Sequence, residues 1–122
     1  MHYQDIILLT LLFTKHFIAD FLLQSEAMAT QKGKNVWILC SHSGQHAALT
    51  LLILLFFTSP LPATAIAVAE FIIHSGIDYL KSNTRFFGRF KPPSREFFIL
   101  FGVDQYLHAL TFVAVLAAVP LL

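Results

Sequence analysis

A chain of 122 residues that is 57% hydrophobic and only 12% charged, with thirteen phenylalanines, is too poor in charge for a soluble domain, where about a quarter of residues are charged. A mean hydropathy of +0.70 agrees. The net charge of +1 gives no reason to expect a nucleic-acid partner, and the lone Cys40 excludes an internal disulfide framework.

What remains is an all-α, polytopic integral membrane protein forming a single transmembrane domain over residues 1–122. The opening MHYQD lacks a basic n-region, so no cleavable signal peptide is expected. A spanning helix needs about 20 mostly apolar residues. Four stretches meet that need, at about 5–27, 36–58, 63–80 (after the breaker SPLP) and 97–119 (after PPSRE). Because backbone groups in lipid must be satisfied internally, a four-transmembrane-helix bundle is the expected architecture.

The loops set an orientation. The first carries Lys32 and Lys34; the third carries Lys81, Arg85, Arg89, Lys91 and Arg95; the second, TSPLP, carries no basic residue. Basic loops stay in the cytoplasm. Both are therefore expected inside, with both termini outside, as for a multi-pass protein of a bacterial inner membrane. Trp37 reads as an interfacial anchor. The loop RFFGRFKPPSR reads as topology-setting charge with interfacial anchoring, attraction of anionic lipid headgroups being the alternative.

The spans hold nine ionisable residues: His16, Asp20, His42, His46, Glu70, His74, Asp78, Asp104 and His108. Each has a partner four residues away, so each helix presents one polar stripe. Counted from the cytoplasmic ends, His16, His46, Glu70 and His108 fall at one depth, with Asp20, His42, His74 and Asp104 one turn nearer the cytoplasm. The outer halves, such as ALTLLILLFF and LTFVAVLAAV, hold no ionisable group. A charged residue at mid-membrane costs roughly 2.5–3.5 kcal/mol on insertion scales and marks function. The pattern implies a buried polar chamber in the cytoplasmic half.

Imidazole and carboxylate on facing helices suit a divalent metal, zinc first and manganese or iron next, as one or two ions. The candidate ligands are His16, His42, His46, His74, Asp104 and His108. Glu70, Asp20 or Asp78 is the candidate general base or hydrogen-bonds a ligand. Lys15 pairs with Glu70 or sits at a helix contact. Cys40 is a packing residue, and Ser43, Ser75 and Thr111 line the chamber or pack helices.

HFIADFLLQ, Lys32, HSGQH, HSGIDYLK and DQYLH together resemble the bacterial membrane family termed domain of unknown function 3307. The resemblance runs from Lys15 to His108 and implies that His16, Asp20, Gln24, Lys32, His42, His46, His74, Asp78, Lys81, Asp104, Gln105 and His108 are family positions. The family name implies no activity. More loosely, the chain is similar to membrane-bound metal-dependent hydrolases that gather His and Asp on their helices. The expected function is an intramembrane metal-dependent hydrolase with a lipid or lipid-linked substrate, surrounded by membrane lipids and able to form a homo-oligomer. The alternatives are a metal-ion or proton transporter, an oxygen-activating di-iron site, and a non-catalytic membrane subunit held by a structural polar network.

Overall fold

The computed structural model describes residues 1–119. Its elements are α1 (Tyr3–Phe17), a π-helical turn (Ile18–Leu22), α2 (Glu26–Gln31), α3 (Val36–Leu54), α4 (Pro60–Ser82), a 3-10 turn (Phe87–Arg89) and α5 (Arg95–Ala118). No strand occurs among the described residues. The helix α1 packs on α3 and α5, and α4 packs on both α3 and α5, so the four long helices close a ring.

Local chemistry sets the helix ends. The first helix does not continue to Ala27. Its last turn widens, with the Leu23 N–H donating to the Ile18 carbonyl at 2.8 Å, a five-residue step. The Gln24 side chain then donates to the Asp20 carbonyl at 3.1 Å, the acceptor that the Gln24 backbone would use if the helix went on. Ser25 caps the short α2 by accepting from the Met28 N–H at 3.2 Å. Asn35 caps α3 through Trp37 and Ile38, and Ser94 caps α5 through Phe97. The third long helix begins at Pro60 rather than Ala63, because prolines in a first turn give up no intrahelical bond. It runs two residues past Leu80, to Ser82, whereas α3 stops at Leu54, short of Thr58.

The bundle core has two halves. One is apolar, where Leu8, Leu12, Leu54, Ala63, Phe112 and Val115 form a single buried cluster. The other is polar. Among the described residues twelve polar or charged side chains are buried against nine apolar ones. The outward faces carry Phe13, Leu52, Phe56, Val68, Ile72, Phe98, Val103 and Val113, all exposed. This inverts the usual soluble pattern, and a polar inside with an apolar outside suits a hydrocarbon surround. Helices α4 and α5 are each long and apolar enough to cross a membrane.

The loops at the polar end are fastened to the end of α4. The Asn83 side chain donates to the Gly33 carbonyl at 2.8 Å. A Cβ on Gly33, or on Gly88 of the 3-10 turn, would run into the Ser82 carbonyl, whereas Gly76 faces open space. Backbone cannot yield as a flexible side chain can. Gly33→Ala and Gly88→Ala should therefore each cost about 1–3 kcal/mol. Gly76→Ala should cost nothing or stabilise, since alanine is the better helix former. Thermal unfolding of the three variants in mild detergent checks the order.

Candidate metal centre

The polar stripes meet at the bundle axis. Asp20 comes from the π turn, His42 and His46 from α3, His74 and Asp78 from α4, and His108 from α5. The four imidazoles form a stacked series across three helices. His42 meets His46 edge-on with ring centres 4.9 Å apart; His46 and His74 are 3.9 Å apart, and His74 and His108 4.2 Å. All four are buried to within 2% exposure.

Their Nε2 atoms turn toward two carboxylates. Asp20 Oδ1 lies 2.8 Å from His46 Nε2 and 3.1 Å from His42 Nε2. Asp78 Oδ2 lies 3.3 Å from both His42 and His74 Nε2, and its Oδ1 lies 3.3 Å from His108 Nε2. Asp78 thus spreads its two oxygens over separate imidazoles. Two overlapping groups have every donor atom within 4.8 Å of the others: Asp20, His42, His46 and His74, and then His74, Asp78 and His108. His74 is common to both, and its one Nε2 can serve a single ion.

The fit to a metal rests on bond direction. His42 Nε2 and His74 Nε2 are buried and close to carboxylate oxygens, yet neither forms a hydrogen bond. They come within hydrogen-bond distance of the oxygens without hydrogen-bond geometry, and His42 Nε2 has two oxygens near it, Asp20 Oδ1 at 3.1 Å and Asp78 Oδ2 at 3.3 Å. Donor atoms around a tetrahedral zinc at its usual bond lengths stand about 3.3–3.6 Å from one another. The separations from His42 to Asp78 and from His74 to Asp78 are of that size. Neutral imidazole and carboxylate suit zinc, manganese or iron.

His46 is held differently. Lys15 Nζ lies 3.5 Å from its Nδ1. An ammonium has only donors, so Nδ1 accepts and Nε2 carries the proton that it gives to Asp20. His46 in this arrangement orients Asp20.

The lysines share out the remaining charge. Lys15 pairs with Glu70, Lys32 with Asp78 at 3.0 Å, and Lys81 with Asp104 at 2.9 Å. Asp20 has imidazoles and no ammonium within bonding distance. With neutral imidazoles, the three buried carboxylates, the nearly buried Asp20 and the three lysines leave one negative charge, a remainder that a cation would offset.

The structure therefore sorts the candidate residues. His42, His46, His74 and His108 stand in the two groups. Asp20 and Asp78, expected as bases, supply the oxygens of those groups. His16 lies outside them: its Nε2 is 3.0 Å from Gln105 Oε1 and 3.3 Å from Asp20 Oδ2. Asp104 also lies outside, because Lys81 and the Gln105 amide, each 2.9 Å away, draw its Oδ2 off. Glu70 is occupied by Lys15, which settles that lysine as its partner. The site gains Lys32, which the sequence suggested only as topology-setting charge and a family position. It reaches back from its loop, 5% exposed, to bind both Asp78 and the Gln24 side chain. Ser43 and Ser75 have buried hydroxyls without partners, Thr111 bonds its own helix at the His108 carbonyl, and Cys40 is half-buried.

The family profile described as "Protein of unknown function (DUF3307)" matches residues 8–121. The chain belongs to that family. No curated protein and no solved structure matches it. The match covers every member of the polar cluster, and it brings no activity with it.

Removing one partner of a buried ion pair leaves the other uncompensated, at about 3–5 kcal/mol. Lys15→Met should cost that much, and adding Glu70→Gln should recover most of it. Thermal unfolding of the two single variants and the double variant measures the coupling.

Proposed function

We propose that the protein is a four-span protein of the bacterial inner membrane, with its basic loops in the cytoplasm and both termini outside. It binds one or two divalent metal ions in its polar half and hydrolyses a lipid or lipid-linked substrate there. The observation that carries this reading is that two buried imidazole nitrogens without a hydrogen bond, on His42 of α3 and His74 of α4, stand close to the oxygens of Asp20 and Asp78. Plain structural networks pair such atoms, because a buried polar group without a partner costs free energy.

The membrane part draws support from the exposed apolar belt, from α4 and α5, and from the lengths of the other two long helices. Helix α1 with its π turn covers 15 and 5 residues and α3 covers 19, each close to a bilayer's span. The seven basic residues in or next to the first and third loops support the proposed orientation.

His42 and His74, each 3.3 Å from Asp78 Oδ2, are the residues best arranged to hold an ion, with Asp20 Oδ1 3.1 Å from His42 as a further oxygen; a second ion would draw on His108 and the other Asp78 oxygen. A divalent metal bound there supplies Lewis acidity and a water that ionises near neutral pH. The chain's own residues do the rest. Lys32 fixes Asp78, and His46, held by Lys15, fixes Asp20. Asp104 Oδ1 is buried and unpartnered, 3.4 Å from His108 Nε2, and is the free carboxylate oxygen placed to take a proton.

Transport is the weaker reading. A transported ion needs polar groups or broken helices on the way to both sides. Among the described residues the other half of the bundle is closed by Leu8, Leu12, Leu54 and Phe112, each at most 2% exposed.

Elemental analysis of protein purified in mild detergent, without chelator or histidine tag, tests the proposal. Wild type should hold about one to two equivalents of zinc, manganese or iron. His74→Ala should lose most of it, while His16→Ala and Asp104→Asn keep it. A metal-free wild type, or a full complement in His74→Ala, would sink the hydrolase and leave a structural network.

A further inference from the structure

The metal centre has a second compartment beside it. Between α2, the end of α4, the 3-10 turn and the start of α5 lies a cleft of about 470 Å3. Lys32, Lys34, Lys81 and Lys91 line it, and no acidic residue does. Two of these lysines join the compartments: Lys32 binds Asp78 and Lys81 binds Asp104. The other two, Lys34 and Lys91, are exposed and have no carboxylate partner among the described residues. Lys81 also sits 5.1 Å above the Phe101 ring, which holds its ammonium toward the cleft.

Beside the cleft, and sharing part of its wall, lies an apolar groove of about 160 Å3 between α4 and α5. Ile77, Leu80, Val103 and Leu107 line the groove, and Lys81, Phe87 and Leu100 belong to both cavities. Leu80, Val103 and Leu107 are 40–45% exposed, so the groove opens outward on the apolar face of the bundle. A cationic cleft beside an apolar groove is complementary to a molecule with an anionic head and a hydrocarbon tail. The two unpaired ammonium groups, on Lys34 and Lys91, favour phosphate, with its charge and several acceptor oxygens. The groove favours an acyl chain that approaches from lipid.

We infer that cleft and groove together bind an anionic phospholipid, with its phosphate against Lys34 and Lys91 and its chain between α4 and α5. This names the substrate class of the proposed hydrolase and rests on that reading only for the chemistry after binding. The phosphate then lies one lysine side chain from the imidazole cluster. Lys32 reaches Asp78 Oδ2 at 3.0 Å, and that oxygen is 3.3 Å from His42 Nε2 and from His74 Nε2.

Isothermal titration calorimetry on the full chain in mild detergent tests the inference. The probes are dioctanoyl phosphatidate, dioctanoylglycerol and inorganic phosphate. Phosphatidate should bind, and the other two should bind about tenfold or more weakly. The Lys34→Ala/Lys91→Ala variant should lose about tenfold or more in phosphatidate affinity. Val103→Trp, which fills the groove, should weaken phosphatidate and leave inorganic phosphate unchanged. Equal binding of inorganic phosphate would reduce the cleft to an anion site, equal binding of dioctanoylglycerol would reduce it to an apolar groove, and an unaffected lysine variant would remove the headgroup contact. Any of the three overturns the inference. Metal content of the same preparations separates the two readings. Metal without phosphatidate binding overturns this inference alone. Phosphatidate binding without metal supports it and overturns the hydrolase.

Discussion

Compensating buried charge is the constraint on which the rest of the bundle depends. Four carboxylates are buried or nearly so, each far too costly to leave alone in a low-dielectric core. Three have a lysine: Lys15 for Glu70, Lys32 for Asp78 and Lys81 for Asp104. These pairs tie α1 to α4, the first loop to α4, and α4 to α5. Asp20 is the exception. It has only imidazoles for company, and the atoms around it include nitrogens that hydrogen-bond nothing. The one carboxylate without a lysine partner among the described residues is thus the one that the π turn presents, beside the proposed metal site.

The same constraint divides the molecule along its axis. Leucines and Phe112 fill one half as in any packed core, and no buried charge has to be offset there. In the other half the core is built from paired charges and stacked imidazoles. Lys32 and Lys81, two of the paired lysines, open toward the end where the loops are fastened on Ser82 and Asn83. The lysine-lined cleft and the apolar groove lie at this polar end, which is why the proposed substrate is one that lies in lipid and presents an anionic head.

Much of this was legible in the sequence because it follows from helical period. The pairs His16/Asp20, His42/His46, His74/Asp78 and Asp104/His108 lie one turn apart, and facing apolar exteriors force such stripes inward. The all-helical architecture and the family followed from the same residues. What the period could not show is who faces whom across helices. Asp104 and Asp78 look equivalent as sequence, but Lys81 and Gln105 take up one Asp104 oxygen while Asp78 turns both of its oxygens to imidazoles. Glu70 and Lys15 stand 55 residues apart, and only packing joins them. The π turn carries no sequence signature of its own; the clue was Gln24 and Ser25, whose side chains donate to the Asp20 carbonyl and accept from the Met28 N–H where an apolar helix should have run on. Lys32 was masked by its place in a loop, where a basic residue reads as topology-setting charge, although Gly33 beside it permits the close approach to Ser82 that brings it inside.

The central claim is that imidazoles and carboxylates of this cluster converge on a metal ion. X-ray absorption at the metal edge of the purified, metal-bound protein tests it most directly. The account predicts nitrogen and oxygen neighbours at about 2.0–2.2 Å with the outer-shell scattering of imidazole rings. A sulfur neighbour at about 2.3 Å, which would implicate Cys40, or an all-oxygen shell without imidazole scattering, would contradict it.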